Sequence, residues 1–352
     1  MLSVAVMQPG KVEIVDIPKP TPGPYEAIVR NQVAYICNAT DRKVVNGHFP
    51  GLGPEKFPLL LGHESVGEVE SVGGRVKSFK PGDRVIGGLL LSPTDRRFAS
   101  GWGGNSEYVV AQDHAAMAAD GVADEAHGWV EVSQIMKKLP GDIPLEAAGL
   151  LCTWREVYAG FSDFQLKPGF DVLIFGGGPV GLSFCRFARI LGMGWVGLVD
   201  PVPFKREKAK SLGADETFAP DAPEVKDLTA RRGRPLDAVI DAVGSESIIN
   251  AGLPLIRLAG SLCVYGVLST PAITIAREKG PLNFNLFIHQ WPTRAAEAAA
   301  QEPLIEWIRA GKLSAQDFLS AEYPVREAAR ALEATRQPTA IKTLLRFQGE
   351  KA

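Results

Sequence analysis

The chain has 352 residues, 45% of them hydrophobic and 22% charged, with a formal net charge of −2 at pH 7. At roughly 150 residues per domain this length suggests two domains, each with a core of its own. Balanced charge without a Lys/Arg cluster excludes a face that tracks phosphates, and so nucleic acid as a partner. No run approaches the roughly 20 apolar residues of a membrane span, which excludes the membrane.

The first 20 residues, MLSVAVMQPGKVEIVDIPKP, have no basic region leading into an unbroken apolar core and a small-residue cleavage site, so a cytoplasmic location is expected. From there to about Gly149 the chain reads as short strands broken by Pro and Gly: KVEIVDIP, YEAIVRNQVAYI, SVGEVESVG and, after the turn Lys80-Pro81-Gly82-Asp83, RVIGGLLL. That spacing predicts a β-rich or barrel-like first domain. Within it FPLLLGHESVGEVESVGG, residues 57–74, reads as one buried strand with a histidine and a glutamate set into it. Residues 113–136 read as an excursion between strands.

After Pro144 the pattern changes. LEAAGLLCTWREVYAGF has apolar residues at helical spacing and ends at the turn Lys167-Pro168-Gly169. The strand DVLIFG, a glycine-rich turn, the helix LSFCRFARILG and the strand WVGLVD follow, then LDAVIDAVG and GSLCVYGVL with SIINAGLPLIRLAG between them. Strands alternating with helices predict βαβ units and a parallel sheet. RAAEAAAQE, PLIEWIRAGKL and REAARALEATRQ read as helices, and AIKTLLRF as a last strand.

Gly176-x-Gly178-x-x-Gly181 stands between a strand and a helix, the context that makes this motif a dinucleotide site. Gly176 allows the tight turn, Gly178 the close approach of a pyrophosphate, and Gly181 the packing of helix on strand. The next strand ends in Asp200, 19 residues after Gly181, where a carboxylate accepts from an adenosine ribose and repels a 2′-phosphate. NAD is therefore expected over NADP. Lys205 and Arg206 are the nearby residues that would serve such a phosphate.

Beside a nicotinamide site, His63 in its apolar strand becomes a metal candidate, since imidazole and thiolate suit zinc and a catalytic zinc takes three protein ligands. Cys37 in YICNATD and Cys152 in LLCTW are the candidates that flank it, whereas Cys185 and Cys263 fall inside predicted elements and read as small core residues. Trp102, Trp154 and Trp291 are candidate pocket liners whose first role is packing volume.

In ICNATD, GHESVGEVESVG, FKPGDRV, AAGLLCTW, LKPGFDVLIFGGGPVGL, the DAVG and GSLCVYG strands and the late IKTLL, nearly the whole chain resembles the zinc-dependent medium-chain alcohol and polyol dehydrogenases. The resemblance implies an α/β chain, with a GroES-like β-rich catalytic domain at 1–151 and 291–352 and a Rossmann doubly wound parallel sheet at 152–290. It implies one catalytic zinc on Cys37, His63 and Cys152. Glu64 is implied beside the metal, Thr40 as the hydroxyl that relays the substrate proton, and Asp41 as the residue orienting the histidine. The cofactor residues implied are Gly176, Gly178, Pro179, Val180, Gly181, Asp200, Lys205, Val243, Gly266 and Val267, with Lys342 as a late basic residue near the pyrophosphate.

The chain departs from the family pattern twice. CNATD has one residue more than usual between cysteine and hydroxyl, and the lobe that carries a structural zinc in many members is replaced by GGLLLSPTDRRFASGWGGNSEYVV, which has no cysteine. No structural zinc is expected. TDRKVVNGHFPG resembles sugar and polyol members, while cysteine at 152 resembles simple-alcohol members, so the expected substrate is a secondary alcohol, polyol or sugar. A homodimer or homotetramer is expected. Two rival readings differ from this one in their ligands. A zinc-free quinone or enone reductase of this fold should lack the metal triad, and a non-catalytic dinucleotide-binding protein should have lost a ligand.

Overall fold

Strand Leu2–Gln8, with Val4, Ala5 and Val6 fully buried, pairs antiparallel with Lys11–Asp16 and with Leu59–Leu61, and Ala99–Gly101 completes a four-stranded sheet. A second sheet is built on Glu26–Ile36, the longest strand of the chain. It is flanked by Lys342–Arg346 and then Leu319–Pro324 on one side, and by Glu64–Val72, Arg84–Ile86 and Lys137–Leu139 on the other, while Tyr108–Gln112 also pairs with it. These strands belong to one of two units in this computed structural model, which describes residues 1–268 and 270–347. That unit comprises Met1–Cys152 and the chain from Gln301 onward; Thr153–Ala300 forms the other.

The stretch expected as one strand is two. Leu59–Leu61 lies in the first sheet and Glu64–Val72 in the second, and the chain passes between them at Gly62 (φ +105°) and His63. Only glycine adopts such a φ without steric cost, so Gly62 is what lets the chain change sheets. Arg84–Ile86 likewise ends before GGLLL, because Gly87 turns at φ +84°. The excursion at 113–136 contains the helix His114–Ala119, capped by the Asp113 carboxylate, and two short 3₁₀ turns.

The other unit holds a six-stranded parallel sheet. Its order is Glu216–Phe218, Val196–Val199, Val172–Phe175, Leu236–Asp241, Ile256–Val264, Asn285–Ile288. Starting from the third of these, the chain adds strands outward in one direction and then in the other, which is the doubly wound order with its switch point between Val172–Phe175 and Leu236–Asp241. Both faces bury apolar residues, so the strands read as continuous Val/Ile/Leu runs. The core between sheet and helices includes Leu173, Val199, Leu236, Val239, Ile249 and Leu262.

The second boundary falls at Gln301 rather than at 291. Helix Arg294–Ala299 belongs to the unit of the parallel sheet, where its buried Glu297 faces Arg155 at 3.7 Å. Among the described residues no helix is long and apolar enough to cross a membrane.

Candidate active site

In the first unit, a sulfur of Cys37, a ring nitrogen of His63 and a carboxylate oxygen of Glu64 all lie within 4.8 Å of one another. Each arrives by a backbone event. Cys37 follows the end of Glu26–Ile36, His63 sits at the sheet change, and Glu64 opens the next strand opposite Tyr35. Asp41, fully buried on helix Thr40–Val45, ties two of them: Oδ2 accepts from the Cys37 backbone N–H at 2.9 Å, and Oδ1 faces His63 Nδ1 at 3.3 Å. Neither Oδ1 nor Nδ1 has an aligned hydrogen bond, though both are buried. Nε2 lies 4.0 Å from Glu64 Oε1. A proton on Nδ1, directed at Asp41, leaves the Nε2 lone pair toward the cluster, the arrangement that metal-ligating histidines use.

The electrostatics agree. Burial disfavours a charged His63 ring, but the charge of the Asp41 carboxylate 3.3 Å away, with Cys37 adding to it, outweighs it and holds the pKa well above the ordinary imidazole value. A soft thiolate, an imidazole and a carboxylate at this spacing are a donor set that zinc fits.

Lys342, expected near the pyrophosphate, is buried, and its ammonium lies 2.6 Å from both Glu64 oxygens. The register explains the meeting. Thr343 pairs with Ile36 on one side of the central strand and Glu64 pairs with Tyr35 on the other, so Lys342 reaches across the strand end where Cys37 leaves the sheet. Burial works against the ammonium, and the Glu64 charge more than compensates, raising its pKa. The sequence carried a partial signal for this pair, a lysine and a glutamate that each open a strand next to an apolar run, but only register joins them.

Cys152 is buried in helix Leu145–Asp163 and is not one of the three atoms grouped within 4.8 Å. Thr40 begins its helix, half-buried, with the extra residue of CNATD taken up in the turn at Asn38-Ala39, where Asn38 Nδ2 donates to the Ile341 carbonyl. Trp102 is placed edge-on to the His63 ring, centroids 5.2 Å apart. Cys185 and Cys263 are buried, and burial pushes the Cys185 thiol up to about 12, so both are inert packing.

In the other unit the glycine positions explain themselves. A Cβ on Gly181 would lie 1.7 Å from the Gly176 carbonyl oxygen, whereas one on Gly178 would meet nothing within 4 Å, which leaves open space at the start of helix Pro179–Ile190. A Cβ on Gly176 would meet Val243 at 2.8 Å, and one on Gly266 the Gly244 nitrogen at 2.0 Å. The glycine loop, Val243 and Gly266 therefore converge at the C-terminal ends of three adjacent strands, beside the switch point. Asp241 holds this loop by accepting N–H bonds from Val243, Gly244 and Ser245. Asp200, buried, accepts from Gly177 N–H at 2.6 Å and Val202 N–H at 2.7 Å, and Lys205 stands against Gly177. An uncapped helix N-terminus beside an open glycine is a fit for a pyrophosphate.

Comparison with known proteins bears on both units. Residues 23–121 match the alcohol dehydrogenase GroES-like domain and 179–289 the zinc-binding dehydrogenase domain. An NADP-dependent isopropanol dehydrogenase of Thermoanaerobacter brockii is 31% identical over 74% of each chain. The chain belongs to the zinc-dependent medium-chain alcohol and polyol dehydrogenase family. Human sorbitol dehydrogenase is 25% identical over 98% of this chain and 95% of its own. The solved structure of alcohol dehydrogenase TADH from Thermus sp. ATN1 superposes with a TM-score of 0.77 at 26% identity, covering 98% of this chain and 99% of that one. As in this family, the fold joins a GroES-like domain to a Rossmann-like parallel sheet.

Proposed function

We propose that the protein oxidises a secondary alcohol, polyol or sugar, reversibly, with NAD as acceptor and a single catalytic zinc held by Cys37, His63 and Cys152. The observation that carries this reading is the meeting of Cys37, His63 and Glu64 within 4.8 Å, with Asp41 behind both the cysteine and the histidine. When bound, zinc supplies a Lewis acid for the substrate hydroxyl and nicotinamide supplies the hydride acceptor. The remaining work falls to the chain. Asp41 fixes the tautomer and orientation of His63. Lys342 engages both oxygens of Glu64, which makes that carboxylate a poor permanent ligand and leaves the third place to Cys152. Glu64 then tunes the charge behind the metal. The hydroxyl of Thr40, with no hydrogen bond to another described residue, carries the substrate proton outward.

Asp200 supports NAD, because a buried carboxylate beside Gly177 sets a negative charge where a 2′-phosphate would lie. Lys205 is the cation available to the adenosine end. A cytoplasmic enzyme is consistent with four cysteines that form no disulfide among the described residues. A homodimer or homotetramer is supported by the edge strand Asn285–Ile288, which has no charged residue to blunt it, and by exposed Leu282 and Ile288 beside that edge.

The test is a screen of alcohols, polyols and aldoses with NAD and NADP, followed at the nicotinamide absorbance, together with metal analysis. Turnover that survives complete removal of zinc would sink the proposal.

A further inference from the structure

We infer that Asn38, in the lengthened turn between Cys37 and Thr40, is a positioning residue for the metal cluster: its side chain seats the turn that carries Cys37 and Asp41 against the end of the strand Lys342–Arg346. The inference rests on the zinc reading above. The turn is first tied to itself. Cys37 N–H donates to Asp41 Oδ2 at 2.9 Å and Asp41 N–H donates to the Cys37 carbonyl at 3.1 Å, so residues 37–41 move as one body. That body presents a thiol to the cluster and, through Asp41 Oδ1, a carboxylate to His63 Nδ1 at 3.3 Å. A small rotation of it displaces one ligand and the group that orients another.

Bonds inside the turn do not fix how it is seated on the sheet. Its far end is held by Val44 and Val45, which belong to a buried apolar cluster. At the cysteine end the attachment is Asn38, whose Nδ2 donates to the Ile341 carbonyl at 2.9 Å across 303 positions of sequence. Ile341 is a firm anchor: it is buried, its own N–H donates to Ser320 Oγ at 2.8 Å, and the N–H of Lys342 donates to the Phe318 carbonyl at 3.0 Å. Lys342 in turn engages both Glu64 oxygens. Two consecutive residues thus hold the cysteine and the glutamate of the cluster at one spacing.

The chemistry of the amide separates this role from plain stabilisation. A carbonyl oxygen only accepts, so Asn38 turns Nδ2 toward Ile341 and Oδ1 away from it. That Oδ1 is buried and has no hydrogen bond among the described residues. One end of the amide gains a bond while the other has left water without a partner, two effects of similar size and opposite sign. Asn38 therefore contributes little to the free energy of folding, and what it does contribute is the direction of the turn. Groups that orient metal ligands from behind are worth about ten- to a hundredfold in metal affinity.

The experiment compares the wild type with Asn38→Ala and Asn38→Leu in three readings: zinc affinity by competition with a chelator, the absorption bands of the cobalt-substituted protein, which report ligand geometry, and the melting temperature of the metal-free protein. Both variants should bind zinc about tenfold more weakly or worse and shift or weaken the cobalt bands. Their metal-free forms should melt within about 3 °C of wild type. Ser320→Ala, which loosens Ile341 from its other side without touching the turn, should weaken zinc binding in the same direction, and it decides the matter if the Asn38 variants do not fold. A lower melting temperature with unchanged zinc affinity and cobalt bands overturns the inference, because Asn38 then only fastens the fold. Unchanged zinc affinity in every folded variant overturns it as well, while leaving the zinc reading intact. A wild type that binds no zinc overturns both.

Discussion

Replacing Lys342 by Met removes one charge from a pair whose side chains are 2% and 5% exposed and whose nitrogen lies 2.6 Å from both carboxylate oxygens. Methionine fills the channel of the lysine stem, so the effect is electrostatic rather than a cavity. Glu64 is left charged and buried, next to Cys37 and 4.0 Å from a His63 ring whose charge is already engaged by Asp41. Breaking a buried pair from one side costs about 3–5 kcal/mol, whereas removing both charges is close to neutral. In the zinc-free protein Lys342→Met should therefore lower the urea midpoint by roughly 1–2 M, while Lys342→Met with Glu64→Gln should recover most of that loss. Zinc should shrink the deficit of the single variant, since the metal gives Glu64 another positive neighbour. The assay is urea unfolding of the wild type, both single variants and the double variant, each with and without zinc. A single variant within about 0.3 M of wild type, or a double variant that loses the sum of the two singles, would refute the reasoning.

Three further outcomes are expected. Metal analysis should find about one zinc per chain, and Cys152→Ser should lose it while staying folded; a variant that keeps stoichiometric zinc and full activity removes Cys152 from the site. Zinc affinity, measured by competition with a chelator, should rise with pH: burial opposes the charged His63 ring but Asp41 outweighs it, so the charged ring stabilises the metal-free fold fully below the unfolded pKa and that stability is lost as pH rises through the raised folded value, the range in which the ring becomes neutral for the metal. A flat profile there would show that the ring is not the ligand. Gly178→Ala, with nothing within 4 Å of the new Cβ, should melt within a few degrees of wild type yet bind dinucleotide at least tenfold more weakly, while Gly181→Ala, set 1.7 Å from the Gly176 oxygen, should lose roughly 1–3 kcal/mol of stability; equal behaviour of the two would contradict these assigned roles.

The sequence by itself determined the parallel sheet and the glycine loop, because their signals are local: apolar runs of strand length, helical periodicity between them, and a Gly176-x-Gly178-x-x-Gly181 spacing dictated by steric contacts within one turn. It also singled out Cys37, His63 and Glu64, since polar side chains in apolar strands stand out whatever the tertiary arrangement. It did not show that Leu59–Leu61 and Glu64–Val72 belong to different sheets, nor that Leu2–Gln8, Glu216–Phe218, Asn285–Ile288 and Leu319–Pro324 are strands at all. Glu216–Phe218 and Asn285–Ile288 are too short to have much pattern of their own, and these two, like the longer Leu2–Gln8 and Leu319–Pro324, are fixed by their hydrogen-bonded neighbours. Tertiary structure alone decided that Lys342 faces Glu64 and that Trp102 stands against His63. Those contacts join residues 278 and about 40 positions apart, and they follow from which strands lie side by side and in what register, a choice made by burial of the whole sheet rather than by any segment of it.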